Sequence, residues 1–179
     1  MRGVPLLLAL FLAGCSAAAP AAPAVKPAAA PAPAAPAPAG KAPAAVPASL
    51  RFTGKTLDGK AFDAASLAGK PAILWFWAPW CATCASEAMS ISDVAEKYRG
   101  RISILGIAGM GNNKDMHEFV TDLEVGAIQH LDDQAGDLWK RFKITEQSWY
   151  VLVDRAGEVV KTGYLDDLQL TSEVKSLVA

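Results

Sequence analysis

The chain has 179 residues, with 17 Lys and Arg against 18 Asp and Glu and a formal net charge of −1. That balance, with no Lys/Arg cluster anywhere along the chain, argues against a nucleic-acid partner. The apolar fraction is 52%, but it comes partly from the first 49 residues and is no sign of a membrane-spanning protein.

Met1-Arg2 carries one positive charge and is followed by an apolar run from Val4 to Phe11, then "LAGC" at Leu12 to Cys15. A charged start, a short apolar run and small residues mark a secretory signal. The run is too short for a membrane helix, which needs about 20 apolar residues. "LAGC" resembles a bacterial lipobox. The resemblance implies that Cys15 becomes the lipidated first residue of the mature protein, a tether in which each buried methylene contributes about 0.8 kcal/mol. An ordinary cleavage site with an incidental cysteine is the alternative.

Residues 16–49 are almost wholly Ala and Pro, with Lys26 and Lys41 as the charges. Such frequent proline blocks helix propagation and favours extended polyproline II, so this segment is expected to be a semi-rigid spacer. Residues 50–179 remain, enough for one domain with one core.

In that domain, "LRFTGKTLDGKAFD" places apolar positions on either side of Asp58-Gly59, a hairpin signal. "PAILWFWAP" (Pro71 to Pro79) is a continuous apolar run that suits a strand buried on both faces. Ala88, Ile91, Val94, Ala95 and Tyr98 recur at helical spacing and stop at Gly100. "ISILGIAG" reads as a second buried strand, "NKDMHEFVTDL" as a helix, "GAIQHL" as a short strand and "AGDLWKRF" as a helix. "WYVLVDRAGEVVKTGYL" reads as a strand hairpin. "DDLQLTSEVKSLVA" reads as a closing helix with capping acids and Leu168, Val174, Leu177 and Val178 as its apolar positions. This order predicts an α/β fold, a mixed central sheet flanked by helices.

Cys81 and Cys84 fall between a predicted strand and a predicted helix, in "FWAPWCATCASE". As a structural staple the pair closes a tiny loop and gains little entropy. As a zinc site it offers two ligands where four are usual, and His117 and His130 lie in other predicted elements. A redox couple fits better. Cys81 would stand at a helix N-terminus, where unpaired amides and the macrodipole favour its thiolate, with Cys84 one turn on to resolve a mixed disulfide. No metal is expected. His117, His130 and Trp139 read as ordinary surface or core residues.

Strand, "WCATC", helix and a distant strand hairpin resemble the thioredoxin superfamily. "GKPAILWFWAPWCATCASEA" is similar to its extracytoplasmic TlpA/DsbE-like branch, including the secreted disulfide-bond proteins of actinobacteria. The resemblance spans residues 50–179 and implies a thioredoxin-like fold with an N-terminal β-hairpin and an inserted helix and strand near residues 113–131. It further implies that Cys81 is the nucleophile, Cys84 the resolving thiol, and Glu87 an aid to proton transfer at Cys84. Trp80, Ala82, Thr83, Gln147 and Ser148 would line the site. The aspartate that thioredoxin buries beneath its cysteines falls at Trp75. The superfamily's cis-proline falls at Ser148, where a hydroxyl and an N–H could instead donate to the Cys81 thiolate.

The function implied is thiol–disulfide exchange, oxidising or exchanging disulfides in secreted proteins, with no cofactor. The partners implied are protein thiols and disulfides of exported proteins, a membrane redox partner, and the membrane itself through the lipid. The alternatives are a reductant of apocytochrome c and a non-catalytic module on a stalk.

Overall fold

The computed structural model describes residues 45–179. The segment expected to be a signal peptide, with Cys15, and most of the Ala/Pro segment lie outside the described residues. A single 3-10 turn, Ala48–Leu50, leads into a two-stranded antiparallel hairpin, β1 (Thr53–Lys55) and β2 (Ala61–Asp63). Gly59 closes its turn at φ 77°, a left-handed conformation that glycine adopts without steric cost. A second 3-10 turn, Ala64–Leu67, follows, its start capped by the Asp63 side chain.

Five strands form the main sheet: β3 (Ala72–Trp77), β4 (Ser103–Ala108), β5 (Gln129–Asp132), β6 (Trp149–Val153) and β7 (Val159–Tyr164). Their order is β5-β4-β3-β6-β7. β3 pairs parallel with β4 and antiparallel with β6, so the sheet is mixed and β3 is its centre. All six residues of β3 are buried, as the proline-bounded apolar run requires of a strand covered on both faces.

The strand period of two divides the core into two layers. Ile73, Trp75 and Trp77 of β3, with Tyr150 and Leu152 of β6, face α1 (Ala82–Lys97), α2 (Asn113–Asp122) and α4 (Asp167–Val178). Leu74, Phe76, Leu105, Ile107 and Val151 face the other way, onto Leu50, Phe52 and Trp139 of α3 (Asp137–Arg141). Each such fully buried large apolar side chain contributes about 1.5–3 kcal/mol. Gly106 lies where β4 passes beneath two polar rings. A Cβ there would collide with His130 Nδ1 and Trp77 Nε1, so the close packing requires a bare Cα.

The helix ends follow from local chemistry. Asn112 caps α2 by accepting the Asp115 amide at 3.0 Å. Asp166 and Gln169 form a reciprocal capping box on α4. That cap corrects one expectation: Leu168 is not on the apolar face but 84% exposed, and Leu170 is buried instead. With the helix starting at Asp167, the buried face runs Leu170, Val174, Val178 at spacings of four, and Leu168 points away from it. The two 3-10 turns had no counterpart in the sequence reading.

Candidate active site

β3 ends at Trp77, and Ala78-Pro79-Trp80 carry the chain to Cys81, the N-cap of α1. Cys81 keeps extended backbone angles (φ −84°, ψ 109°), while Ala82 onward is helical. Its sulfur accepts the Cys84 amide at 3.0 Å, in the place where Ser or Asp usually caps a helix. Cys81 and Cys84 are joined in a disulfide with Cα atoms 5.2 Å apart, inside the usual 4.4–6.8 Å range. Both cysteines are buried, Cys84 completely. When the bond is open, the amide and the positive end of α1 favour charge on Cys81.

Glu87 lies three residues beyond Cys84, on the same face of α1. It is only 4% exposed, so it is no solvated helix-end charge. Its Oε2 accepts a hydrogen bond from the Ser148 hydroxyl, while Oε1 has no partner. Burial pushes the Glu87 carboxyl up from its ordinary value, and Asp167 pushes the same way. The Ser148 hydroxyl and, more weakly, Tyr150 and Trp75 oppose that rise. Tyr150 and Trp75 approach the carboxylate closely enough to favour its charge, yet neither meets the geometry of a direct hydrogen bond.

Ser148 precedes β6 at φ 66° and is buried. Its position corrects the expectation that it donates to Cys81. Its amide donates to Phe76 O at 2.8 Å, extending the β3–β6 ladder, and its hydroxyl is spent on Glu87. Both donors are therefore engaged away from the sulfur. Gln147, just before it, is half-buried, and Ala82 and Thr83 are exposed beside the disulfide. Trp80 is 58% exposed, and its indole donates to Met110 O at 2.7 Å. It is thus an exposed neighbour of the pair and not part of the core. Met110 itself holds a positive φ of 55°, which the sequence reading did not anticipate.

Trp75 stands directly across the β3–β6 pairing from Tyr150, and both rings are fully buried. Their approach to Glu87 was not legible from spacing, because it joins three separate elements. His130 is buried in the core: its Nδ1 accepts from Trp77 Nε1 at 3.2 Å and its Nε2 lies 3.1 Å from Val125 O. Burial pushes it down to about 4, so it is neutral at physiological pH. Half-buried His117 has its Nε2 3.1 Å from Leu57 O. No cluster of three or more metal-ligating side chains occurs among the described residues.

A mixed five-stranded sheet with a dithiol pair at the start of the helix that follows its central strand defines a thioredoxin-fold dithiol–disulfide protein. A redoxin family model matches residues 32–178, and the chain belongs to the redoxin family. Among curated proteins it is similar to the soluble secreted antigen MPT53 of Mycobacterium tuberculosis and Mycobacterium bovis. The identity is 41% over 108 residues, covering 60% of this chain and 61% of the relative. The match thus spans about three-fifths of those relatives' length. Among solved structures it is similar to MTB dsbF in its mixed oxidized and reduced forms, at 42% identity and a TM-score of 0.69, covering 74% of this chain and 98% of that one. It is also similar to a secreted Mycobacterium tuberculosis disulfide oxidoreductase homologous to E. coli DsbE. There the identity is 35% and the TM-score 0.66, over 72% of this chain and 98% of that one.

Proposed function

We propose that this protein is an extracytoplasmic thiol–disulfide oxidoreductase that oxidises or exchanges disulfides in exported proteins. The observation that carries the reading is the Cys81–Cys84 disulfide at the start of α1, with the Cys84 amide on Cys81 Sγ. A buried carboxyl, Glu87, lies one turn on. In the oxidising direction a substrate thiolate attacks Cys81 Sγ, the Cys81–Cys84 bond breaks, and Cys84 leaves as a thiolate that takes up a proton. A second substrate thiolate then attacks the substrate sulfur of the mixed disulfide and releases Cys81. The substrate gains a disulfide, and the protein holds the two electrons as a dithiol. A membrane redox partner would reoxidise it.

The same proposal divides the chain into a signal peptide of residues 1–15, a stalk of residues 16–49 and a catalytic domain of residues 50–179. Cys15 carries the lipid that anchors it to the outer side of the cytoplasmic membrane. Glu87 exchanges the proton of Cys84, and Trp80, Ala82, Thr83 and Gln147 form the surface that meets substrate, with Ser148 beneath it. The test is a pair of assays on the mature chain, oxidation of a reduced unfolded protein and reduction of insulin. Activity in either, lost in Cys81→Ser, supports the reading. Absence of both means a non-catalytic module on a stalk.

A further inference from the structure

Three buried side-chain polar atoms among the described residues have no hydrogen-bond partner: Trp75 Nε1, Tyr150 OH and Glu87 Oε1. They belong to one place. Trp75 and Tyr150 are cross-strand partners in the β3–β6 register and share the core layer beneath α1. Ser148 stands just before β6, and its hydroxyl meets Glu87 Oε2 in the same place. Two donors and one acceptor left unsatisfied in a single buried place is not how interiors are built. Each is the partner another lacks.

We infer that Ser148, Tyr150 and Trp75 are positioning residues that hold Glu87 for proton exchange with Cys84, Ser148 through Oε2 and the two aromatic donors through Oε1. This rests on the exchange reaction proposed above. Neither aromatic donor bonds Oε1 directly in the structure, so the contact runs through a small shift of the side chains or through one internal water, and donation acts in the same direction either way. Among the described residues no cation stands against the carboxyl. The titratable groups facing Glu87 are Cys84 on its own helix, Tyr150 on β6, Tyr164 at the end of β7 and Asp167 at the start of α4. The carboxylate is thus supported by neutral donors alone, against burial and the Asp167 charge. Trp75 and Ser148, which stand where the resemblance places thioredoxin's buried aspartate and cis-proline, are both parts of this cradle.

In the resolving step, Cys84 gives its proton to Glu87 and its thiolate attacks Cys81 Sγ in the mixed disulfide. The Cys81–Cys84 bond forms, the bond from Cys81 to the substrate sulfur breaks, and the electron pair leaves on the substrate thiolate. In the oxidising direction each change reverses and Glu87 returns the proton. Glu87 must therefore be a carboxylate at the moment of resolution. Removing a donor to the charged form raises its proton affinity, and resolution slows on the acid side at a higher pH than before.

The test is a carbon-13 NMR titration of the Glu87 carboxyl in the oxidised full-length protein, beside the pH profile of mixed-disulfide resolution. Ser148→Ala and Tyr150→Phe should each raise the Glu87 midpoint by about one pH unit, tenfold in proton affinity. The acid limb of resolution should move with it. Midpoints unmoved in folded Tyr150→Phe and Ser148→Ala, with exchange intact, overturn the cradle. Midpoints that move in a protein showing no exchange leave the cradle standing and overturn the functional reading.

Discussion

The backbone amide of Cys84 donates to Cys81 Sγ at 3.0 Å, so α1 is capped by the sulfur proposed to make the exchange. In the reduced protein that amide and the helix N-terminus favour the Cys81 thiolate, while Cys84 is completely buried. Iodoacetamide should therefore modify Cys81 first, read by peptide mass spectrometry. The fast phase should vanish in Cys81→Ser and persist in Cys84→Ala. Faster labelling of Cys84 would reverse the assigned roles.

His130 is predicted to make stability fall on mild acidification. Its ring is buried and its proton affinity depressed to about 4 from 6.5. Below about pH 6.5 the unfolded chain binds a proton there, and the folded chain does not until about pH 4. Stability is full above the upper value and falls through that window by up to about 3 kcal/mol. Glu87 and Asp133, whose carboxyls burial pushes up, work in the opposite sense. The His130 part is isolated by urea unfolding of His130→Phe. The variant should lose about 1–3 kcal/mol at pH 7, because Trp77 Nε1 and Val125 O lose their partner. Its stability should then depend less steeply on pH between 6.5 and 4. An unchanged slope would show that His130 titrates normally.

Trp80 separates docking from packing. It is exposed, and its anchor is the one bond to Met110 O. Trp80→Ala should cost about 1 kcal/mol of stability or less. Exchange with an unfolded protein should slow about tenfold, the worth of one aromatic anchor, while exchange with glutathione changes little. Equal losses with both substrates would place the role of Trp80 in the disulfide itself.

Much of the fold was legible because its central elements carry redundant signals. β3 and β4 are apolar runs long enough for a strand and bounded by Pro or Gly, and α1 repeats its apolar residues until Gly100 ends it. The cysteines were legible because they sit at that strand-to-helix junction. Leu168 was misread because the cap at Asp166 sets the phase of α4, and composition alone does not show the phase. Glu87 and Ser148 were both named, but not their bond: they are 61 residues apart, and only the β3–β6 pairing brings them together. The roles of Trp75 and Tyr150 were hidden for the same reason, since a buried aromatic at strand spacing reads as core.

The anchor is open to a direct check. The mature protein should partition into detergent and carry a diacylated Cys15 at its N-terminus, seen by mass spectrometry. Cys15→Ala should be released or stay unprocessed. A mature N-terminus well downstream of residue 15, without lipid, would show a secreted protein instead.

The central claim is that Cys81 and Cys84 form a working redox couple with Cys81 as the exchanging sulfur. Intact-mass analysis of Cys84→Ala after incubation with oxidised glutathione tests it most directly, because an enzyme unable to resolve must retain its mixed disulfide. The account predicts one stoichiometric, reductant-sensitive glutathione adduct on Cys81, absent from Cys81→Ser under the same brief exposure. No adduct on Cys84→Ala, or an adduct formed faster on Cys81→Ser, would contradict it.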